Sequence, residues 1–223
     1  MNTVPPSSRY ADLSHPMYHG APAFPNDPIT SVQPRGTIAR EHYNTSEVSF
    51  GTHQGTHLDA MFHFFDDGRT LEQMPLAWFH GAARMLRIPK AASGEITVAD
   101  LEPFSAHFVP EAKIIVNTGW HRRFGQPEFF TDFPSFTLDA ARYLAARRIR
   151  LLGMDLPTPG KQWLELHHIL LAKNIEIVLV ESLANLDAVP ETFTFVGFPL
   201  NFRGRDGSPI RAVGIWDAPL AAP

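Results

Sequence analysis

The chain has 223 residues, a net charge of −4, 44% hydrophobic and 19% charged residues, a composition that is ordinary for a globular protein and suggests neither disorder nor a membrane class. It has no cysteine, which excludes disulfides, thiolate chemistry and cysteine-bound zinc and fits a reducing, cytoplasmic setting. Its densest basic run is "RRIR" at 147–150, too little for nucleic acid as a partner, and no apolar run reaches the roughly 18 residues that a membrane span needs.

No linker-like stretch divides the sequence, so one domain over 1–223 is expected. The start, "MNTVPPSSRYADLSHPM", has no basic segment followed by an apolar core, so no signal peptide is expected. Residues 1–45 are rich in Pro, Asp, Asn and Gly and read as extended segments and turns. "TSEVSFGTH" (45–53) alternates weakly and reads as a strand entering a histidine cluster. "ARMLRI" (83–88) reads as a strand ended by Pro89, "TVADLEPFSAHF" (97–108) as a short helix, and "KIIVNTG" (113–119) as a buried strand stopped by Gly. "TLDAARYLAARRI" (137–149) is the clearest helix: Thr137 can cap it, and Leu138, Ala141, Leu144, Ala145 and Ile149 share one face. Then come a strand "IRLLG" (149–153), a helix "KQWLELHHILLAKN" (161–174), and strands "IEIVLVE" (175–181), "TFTFVGFPL" (192–200) and "RAVGIW" (211–216). Helix and strand alternating in the C-terminal half imply a mixed α/β fold with parallel pairing there.

The residues that carry chemistry lie in "HQGTHLDAMFHF" (53–64), which holds His53, His57, Asp59 and His63. The i, i+4 spacing of His53 and His57 is that of a helical zinc-protease motif. Gln54 stands where that motif needs glutamate, however, and Thr52, Gly55 and Thr56 are poor helix formers. On a strand, positions 53, 57, 59 and 63 would all face one side. A straight strand would still part His53 from His57 by about 13 Å, against metal–ligand bonds of about 2 Å. The chain must therefore bend, and Gly55 is where a bend is expected. Two imidazoles and a carboxylate suit Zn²⁺ or Mn²⁺, with His63 placed to move protons. Glu181, ending the apolar "IEIVLV", needs a partner if it is buried; an arginine would serve as well as a metal. Phe62, Phe64, Phe65 and Trp78 are candidates for an aromatic wall around an aryl substrate. No G-x-S-x-G nucleophile elbow occurs, so a serine hydrolase is not expected.

"HQGTHLDAMFHF" resembles the H-x-G-T-H-x-D-x-P-x-H signature of the cyclase family of metal-dependent hydrolases, which includes bacterial kynurenine formamidases and isatin hydrolases. The resemblance runs from "DLSHPM" (12–17) to "RAVGI" (211–215), through "TGWHRRFG" (118–125), "LAARRIRLLGMDLPTP" (144–159), "HHILL" (167–171), "VESLANLDAVP" (180–190) and "PLNFRGRDGSPIRAV" (199–213). It implies an α/β fold with a barrel-like, swivelling β/β/α arrangement and helices on the flanks, assembled as a homodimer or homotetramer. It implies His53, His57 and Asp59 as ligands of one or two ions, Glu181 as a further ligand, and His63 as the catalytic histidine. The remaining ligand is His167 or His168, with the H-x-x-L-L pattern favouring His167. Three departures stand out: Met61 where the family has proline, Thr158 where many members have serine, and a longer run between that histidine and Glu181.

The implied activity is hydrolysis of an amide or lactam C–N bond in a small molecule such as an arylformamide or an isatin-like ring. A cyclase, dehydratase or lactone hydrolase could use the same metal and base, and a non-catalytic metal-binding protein would keep the ligands without turnover.

Overall fold

The computed structural model describes residues 8–217; residues 1–7, part of the expected extended N-terminal segment, and 218–223, the tail of the expected domain, lie outside it. The strands are β1 (Ser8–Asp12), β2 (Ser31–Gly36), β3 (Thr45–Ser49), β4 (His57–Asp59), β5 (His80–Arg87), β6 (Glu95–Ile96), β7 (Lys113–Asn117), β8 (Ser135–Phe136), β9 (Leu151–Met154), β10 (Val178–Glu181), β11 (Thr192–Val196), β12 (Gly207–Pro209) and β13 (Val213–Asp217). The α-helices are α1 (Ile38–Glu41), α2 (Val98–Leu101), α3 (Leu138–Ala146) and α4 (Trp163–Leu170). Among the described residues a nine-stranded sheet runs β1-β13-β11-β5-β7-β9-β10-β4-β12, curled into a half-barrel. Its centre, β5-β7-β9-β10, is parallel, and antiparallel strands extend it on both sides.

Strand alternation builds two cores from this one sheet. Ile114 and Val116 face a core shared with Leu144 of α3 and Leu166 and Leu170 of α4. Ile115, between them in sequence, faces the other core with Leu13, Leu58, Phe79 and Phe195, as a period of two requires. Central parallel strands covered on both faces need near-continuous apolar sequence, which is why "KIIVN" and "IVLV" read as buried from sequence. No helix among the described residues is long and apolar enough to cross a membrane.

Several elements differ from the sequence reading. The strand expected over 45–53 stops at Ser49 and does not enter the histidine cluster. It pairs with β2 in a separate two-stranded sheet, and the chain then turns, with Gly55 at φ +60°. That left-handed backbone ends the extended run and supplies the expected bend. The helix expected over 97–108 is α2 followed by a 3-10 helix, Glu102–His107, because Pro103 has no N–H to continue an α-helical ladder. The strand expected over 175–181 starts only at Val178, since Glu176 has φ +54°. Thr137 caps α3 by accepting from the Ala140 N–H at 3.2 Å. The short strands β4 and β12, absent from the sequence reading, flank the functional site.

Candidate metal centre

The site forms where the short strand β4 joins the edge of the parallel block. His57 and Asp59 are two residues apart on β4 and share a face. In the antiparallel register with β10, His57 stands opposite Glu181 and Asp59 opposite Leu179. Leu179 packs into the helix-side core, so the two carboxylates and His57 lie on the side of the sheet that carries the helices. There α4 supplies His167, one turn before its C-terminus, while its buried Leu166 and Leu170 anchor the helix.

Four donors form a closed ring. His57 Nε2 lies 3.5 Å from Asp59 Oδ1 and 3.3 Å from Glu181 Oε2. His167 Nε2 lies 3.5 Å from Asp59 Oδ2 and 3.5 Å from Glu181 Oε1. These separations are long for hydrogen bonds. Donor atoms of two overlapping sets, His53 with His57 and Asp59, and Asp59 with His63 and His167, lie within 4.8 Å of one another, close enough to hold an ion. Asp59 and Glu181 are 1% and 4% exposed, yet Asp59 Oδ2 and Glu181 Oε1 have no hydrogen-bond partner. Buried carboxylate oxygens do not stay unpaired without a reason. A divalent cation held by the ring would satisfy them, and mixed imidazole and carboxylate donors are those that Zn²⁺ or Mn²⁺ takes. The residues present therefore fit a metal.

The imidazoles are held from behind. The Nδ1 of His57 meets the Gly55 carbonyl at 2.8 Å, and that of His167 meets the Trp163 carbonyl at 2.6 Å. A carbonyl only accepts, so both Nδ1 atoms carry hydrogen and both Nε2 atoms point into the ring. His53 is different: Nδ1 meets Asp59 Oδ1 at 2.8 Å and Nε2 meets Asp206 Oδ2 at 2.8 Å. Asp206 had no role in the sequence reading. Nothing local in its segment "RGRDGSP" sets this aspartate apart.

His63 lies on a 3-10 turn, Met61–His63, with its ring stacked on His53 at 3.8 Å. Met61 is buried in the core on the opposite face, so this turn is anchored by side-chain packing where a proline ring would stiffen it. His53, His57, His63, His167 and Glu181 line one cavity of 430 Å³ with Phe24, Pro25, Asn26, Asp27, Phe64, Pro157, Thr158 and Trp163. Of the expected aromatic wall only Phe64 reaches the cavity, where it stacks on His167 at 4.2 Å. Phe62 and Trp78 do not line it. Trp78 lies under the Arg150 guanidinium, 4.0 Å away, on the side of the second core. Phe65 packs on His168. The wall is made instead by Phe24 and Trp163, which sequence reading missed because they belong to segments distant in the chain. His168 is exposed and points to Phe64 and Phe65, away from the donors; one residue along a helix is a turn of about 100°. No arginine among the described residues pairs with Glu181; its partners are His57 and His167.

The electrostatics demand positive charge. Burial opposes charge on His57 and His167, but Asp59 and Glu181 overcome it and push each to about 10. Burial likewise opposes charge on His53, which Asp59 and Asp206 raise to about 9. Burial would raise Asp59, but His53, His167 and His57 hold it well below the usual carboxylate range. His63 goes the other way: burial, aided by His53 and His167 against the pull of Asp59, takes it to about 4. The cluster thus holds protons where a cation would sit and leaves a neutral imidazole beside it.

A half-barrel α/β fold with a buried ring of two imidazoles and two carboxylates, a third imidazole against it and His63 stacked on that third imidazole presents donor groups that could hold a metal ion. Residues 11–161 match the family described as "Putative cyclase", and the chain belongs to that family. It is 30% identical over 209 residues to the kynurenine formamidase of Geobacillus thermodenitrificans, covering 91% of this chain and 95% of that one. It is 28% identical over 212 residues to the kynurenine formamidase of Bacillus mycoides, covering 93% and 97%. Its fold is similar to that of isatin hydrolase A from Labrenzia aggregata bound to benzyl benzoate, with TM-score 0.85, 21% identity and 95% of each chain covered. An isatin hydrolase bound to the product analogue thioisatinate matches with TM-score 0.85 at 20% identity, over 95% of this chain and 94% of that one.

Proposed function

We propose that the protein is a metal-dependent hydrolase of a small amide or lactam, cleaving a non-peptide C–N bond of the arylformamide or isatin type. The observation that carries this reading is the pair of orphaned carboxylate oxygens, Asp59 Oδ2 and Glu181 Oε1, facing the imidazoles of His57 and His167 inside a cavity. Kynurenine formamidases among the relatives and isatin hydrolases among the structural neighbours support the bond type. Phe24, Phe64 and Trp163 in the cavity wall support an aryl group on the substrate.

His57, Asp59, His167 and Glu181 would hold the ion, with His53 beside Asp59 as a further ligand. A bound Zn²⁺ or Mn²⁺ supplies Lewis acidity and makes water a nucleophile near neutral pH. The chain does the rest. His63 is neutral at physiological pH because burial keeps its proton affinity low, so it can take a proton from the attacking water and pass one to the departing nitrogen. Phe64 fixes the plane of His167 by stacking. Thr158 Oγ1 is buried at the cavity wall with no partner, which leaves it free to bond a substrate polar atom.

The same reading includes a cytoplasmic setting, supported by the absence of cysteine, and a homodimer or homotetramer. The hairpin of β2 and β3 supports assembly: every β3 residue is exposed, Val48 among them, and a two-stranded hairpin is marginal without a covering surface.

The test is elemental analysis of the purified protein together with turnover of an N-formyl arylamine and of isatin. One or two equivalents of Zn or Mn per chain, with chelator-sensitive release of the amine or ring-opened acid, is the expected result. A protein that takes up no divalent ion, or a loaded protein that opens no amide or lactam, would overturn the proposal.

A further inference from the structure

His53 is the imidazole in the cluster whose two ring nitrogens both face carboxylates. An ionised carboxylate has no hydrogen to give, so Nε2, which faces Asp206, carries hydrogen, and Nδ1 is the nitrogen turned toward Asp59. The Nε2 hydrogen is secured from outside the ring. Asp206 Oδ2 accepts it at 2.8 Å and also accepts the Thr52 hydroxyl at 2.9 Å. Asp206 is itself pinned, because its carbonyl accepts the Ala60 N–H at 2.8 Å and the next residue, Gly207, pairs with Asp59 across β12 and β4. Gly207 is shaped for the same ring. A Cβ there would come within 2.6 Å of His53 Cε1 and 3.0 Å of His53 Nε2. The dipeptide Asp206–Gly207 is thus a cradle, with a carboxylate against Nε2 of the imidazole and bare backbone close to its Cε1 and Nε2.

We propose that Asp206 is the positioning residue of the metal centre: with Gly207 it fixes His53 in the Nε2–H form, so that His53 presents Nδ1 to the ion while His57 and His167 present Nε2. This rests on the metal-hydrolase reading above. It assigns the one charged partner behind an imidazole to His53; His57 and His167 have only backbone carbonyls there. A carboxylate behind a ligating imidazole makes it a stronger donor and holds its plane. Asp206 Oδ2 also lies 4.0 Å from His63 Nδ1, so the same anchor borders the proton-moving histidine without binding it.

The experiment uses the full chain loaded with Zn²⁺, a diamagnetic probe. Ring ¹⁵N–¹H correlation spectra read each histidine's tautomer, and competition with a chelator reads affinity. In the wild type His53 should be metal-bound at Nδ1 with hydrogen on Nε2, and His57 and His167 should show the opposite form. Asp206→Ala should weaken binding of the ion that His53 contacts by about 10–100-fold and broaden or interconvert the His53 signals alone. Asp206→Asn keeps the shape and an acceptor oxygen, so it should fold and fall between the two. Gly207→Ala leaves the carboxylate in place but pushes the ring, and should reproduce the loss. Wild-type affinity and an unchanged His53 tautomer in folded Asp206→Ala would overturn the assignment. So would a wild type in which His53 binds through Nε2. A wild type that takes up no Zn²⁺ at all fails earlier and overturns the hydrolase reading with it, which separates the two failures.

Discussion

The molecule buries histidine against carboxylate in two places, and the two are built to opposite ends. Asp155, fully buried after β9, accepts four hydrogen bonds: Thr118 N and Oγ1 on Oδ1 at 3.0 and 2.8 Å, His121 N and Nδ1 on Oδ2 at 3.3 and 3.2 Å. Each oxygen is satisfied, and the result is a pin that ties the turn after β7 to the end of β9. The ring of His57, Asp59, His167 and Glu181 uses the same residue types at 3.3–3.5 Å and leaves two buried oxygens unpaired. What separates a structural cluster from a ligand site here is satisfaction, not composition. A closed network rigidifies; an open one with excess negative charge calls for a cation.

The sharpest break of that contrast comes from the open ring. Asp59→Ala removes the carboxylate that faces all three ring-side imidazoles. Metal content and turnover should fall to background together, and a chelator should have no further effect. His63→Ala should separate the two readouts. Its metal content should stay at the wild-type level in elemental analysis, while kcat drops by about 10²–10⁴-fold, the usual worth of a positioned acid–base group. Metal lost along with turnover in that variant would move His63 from proton transfer to ligation.

The closed network should respond in the other currency. Asp155→Ala strands the Thr118 and His121 donors in a buried setting, and chemical denaturation should show a loss of about 2–4 kcal/mol. Metal bound per folded chain should not change. A variant that keeps its stability but loses its ion would mean that the pin reaches into the metal centre.

The pH response sharpens the comparison further. In metal-stripped protein His57 and His167 are raised to about 10 from 6.5. A raised folded-state value stabilises fully below the unfolded value and is lost as pH climbs through the folded one. The melting temperature of stripped protein should therefore fall as pH rises from about 7 to 10, and loading with metal should flatten that decline. Loading at pH 7 should also release roughly two to three protons per chain, read by calorimetry in buffers of different ionisation enthalpy. On the acid side His15, stacked on Phe124 at 3.7 Å, is lowered to about 4, chiefly by burial. A lowered histidine loses stability as pH falls from 6.5 toward that value, so both forms should weaken there.

How much of this could be read from sequence follows from what local pattern encodes. The central strands and α3 were legible because apolar runs and a capped amphipathic face are local signals. Gly55 was legible as the bend, and the i, i+2 pair His57 and Asp59 as neighbours. The strand containing them was not, because three residues carry no periodicity and β4 exists only through pairing with β10 and β12. Asp206 and Gly207 come beside His53 through that same pairing, from about 150 positions away on a chain whose reach is set by the fold rather than by spacing. Phe24 and Trp163 entered the cavity by the same route, while Phe62 and Trp78, close to the motif in sequence, turned elsewhere.

The smallest expected effect tests the choice between adjacent histidines. His167 is 3% exposed and faces two carboxylates, while His168 is exposed and lies against the rings of Phe64 and Phe65. His168→Ala should leave metal content unchanged and cost under about 1 kcal/mol, the scale of a surface residue with an aromatic contact. His167→Ala should empty the site. Equal loss of metal in both variants would mean that the helix, rather than the ring of donors, is what each substitution disturbs, and comparing their circular dichroism at 222 nm would show it.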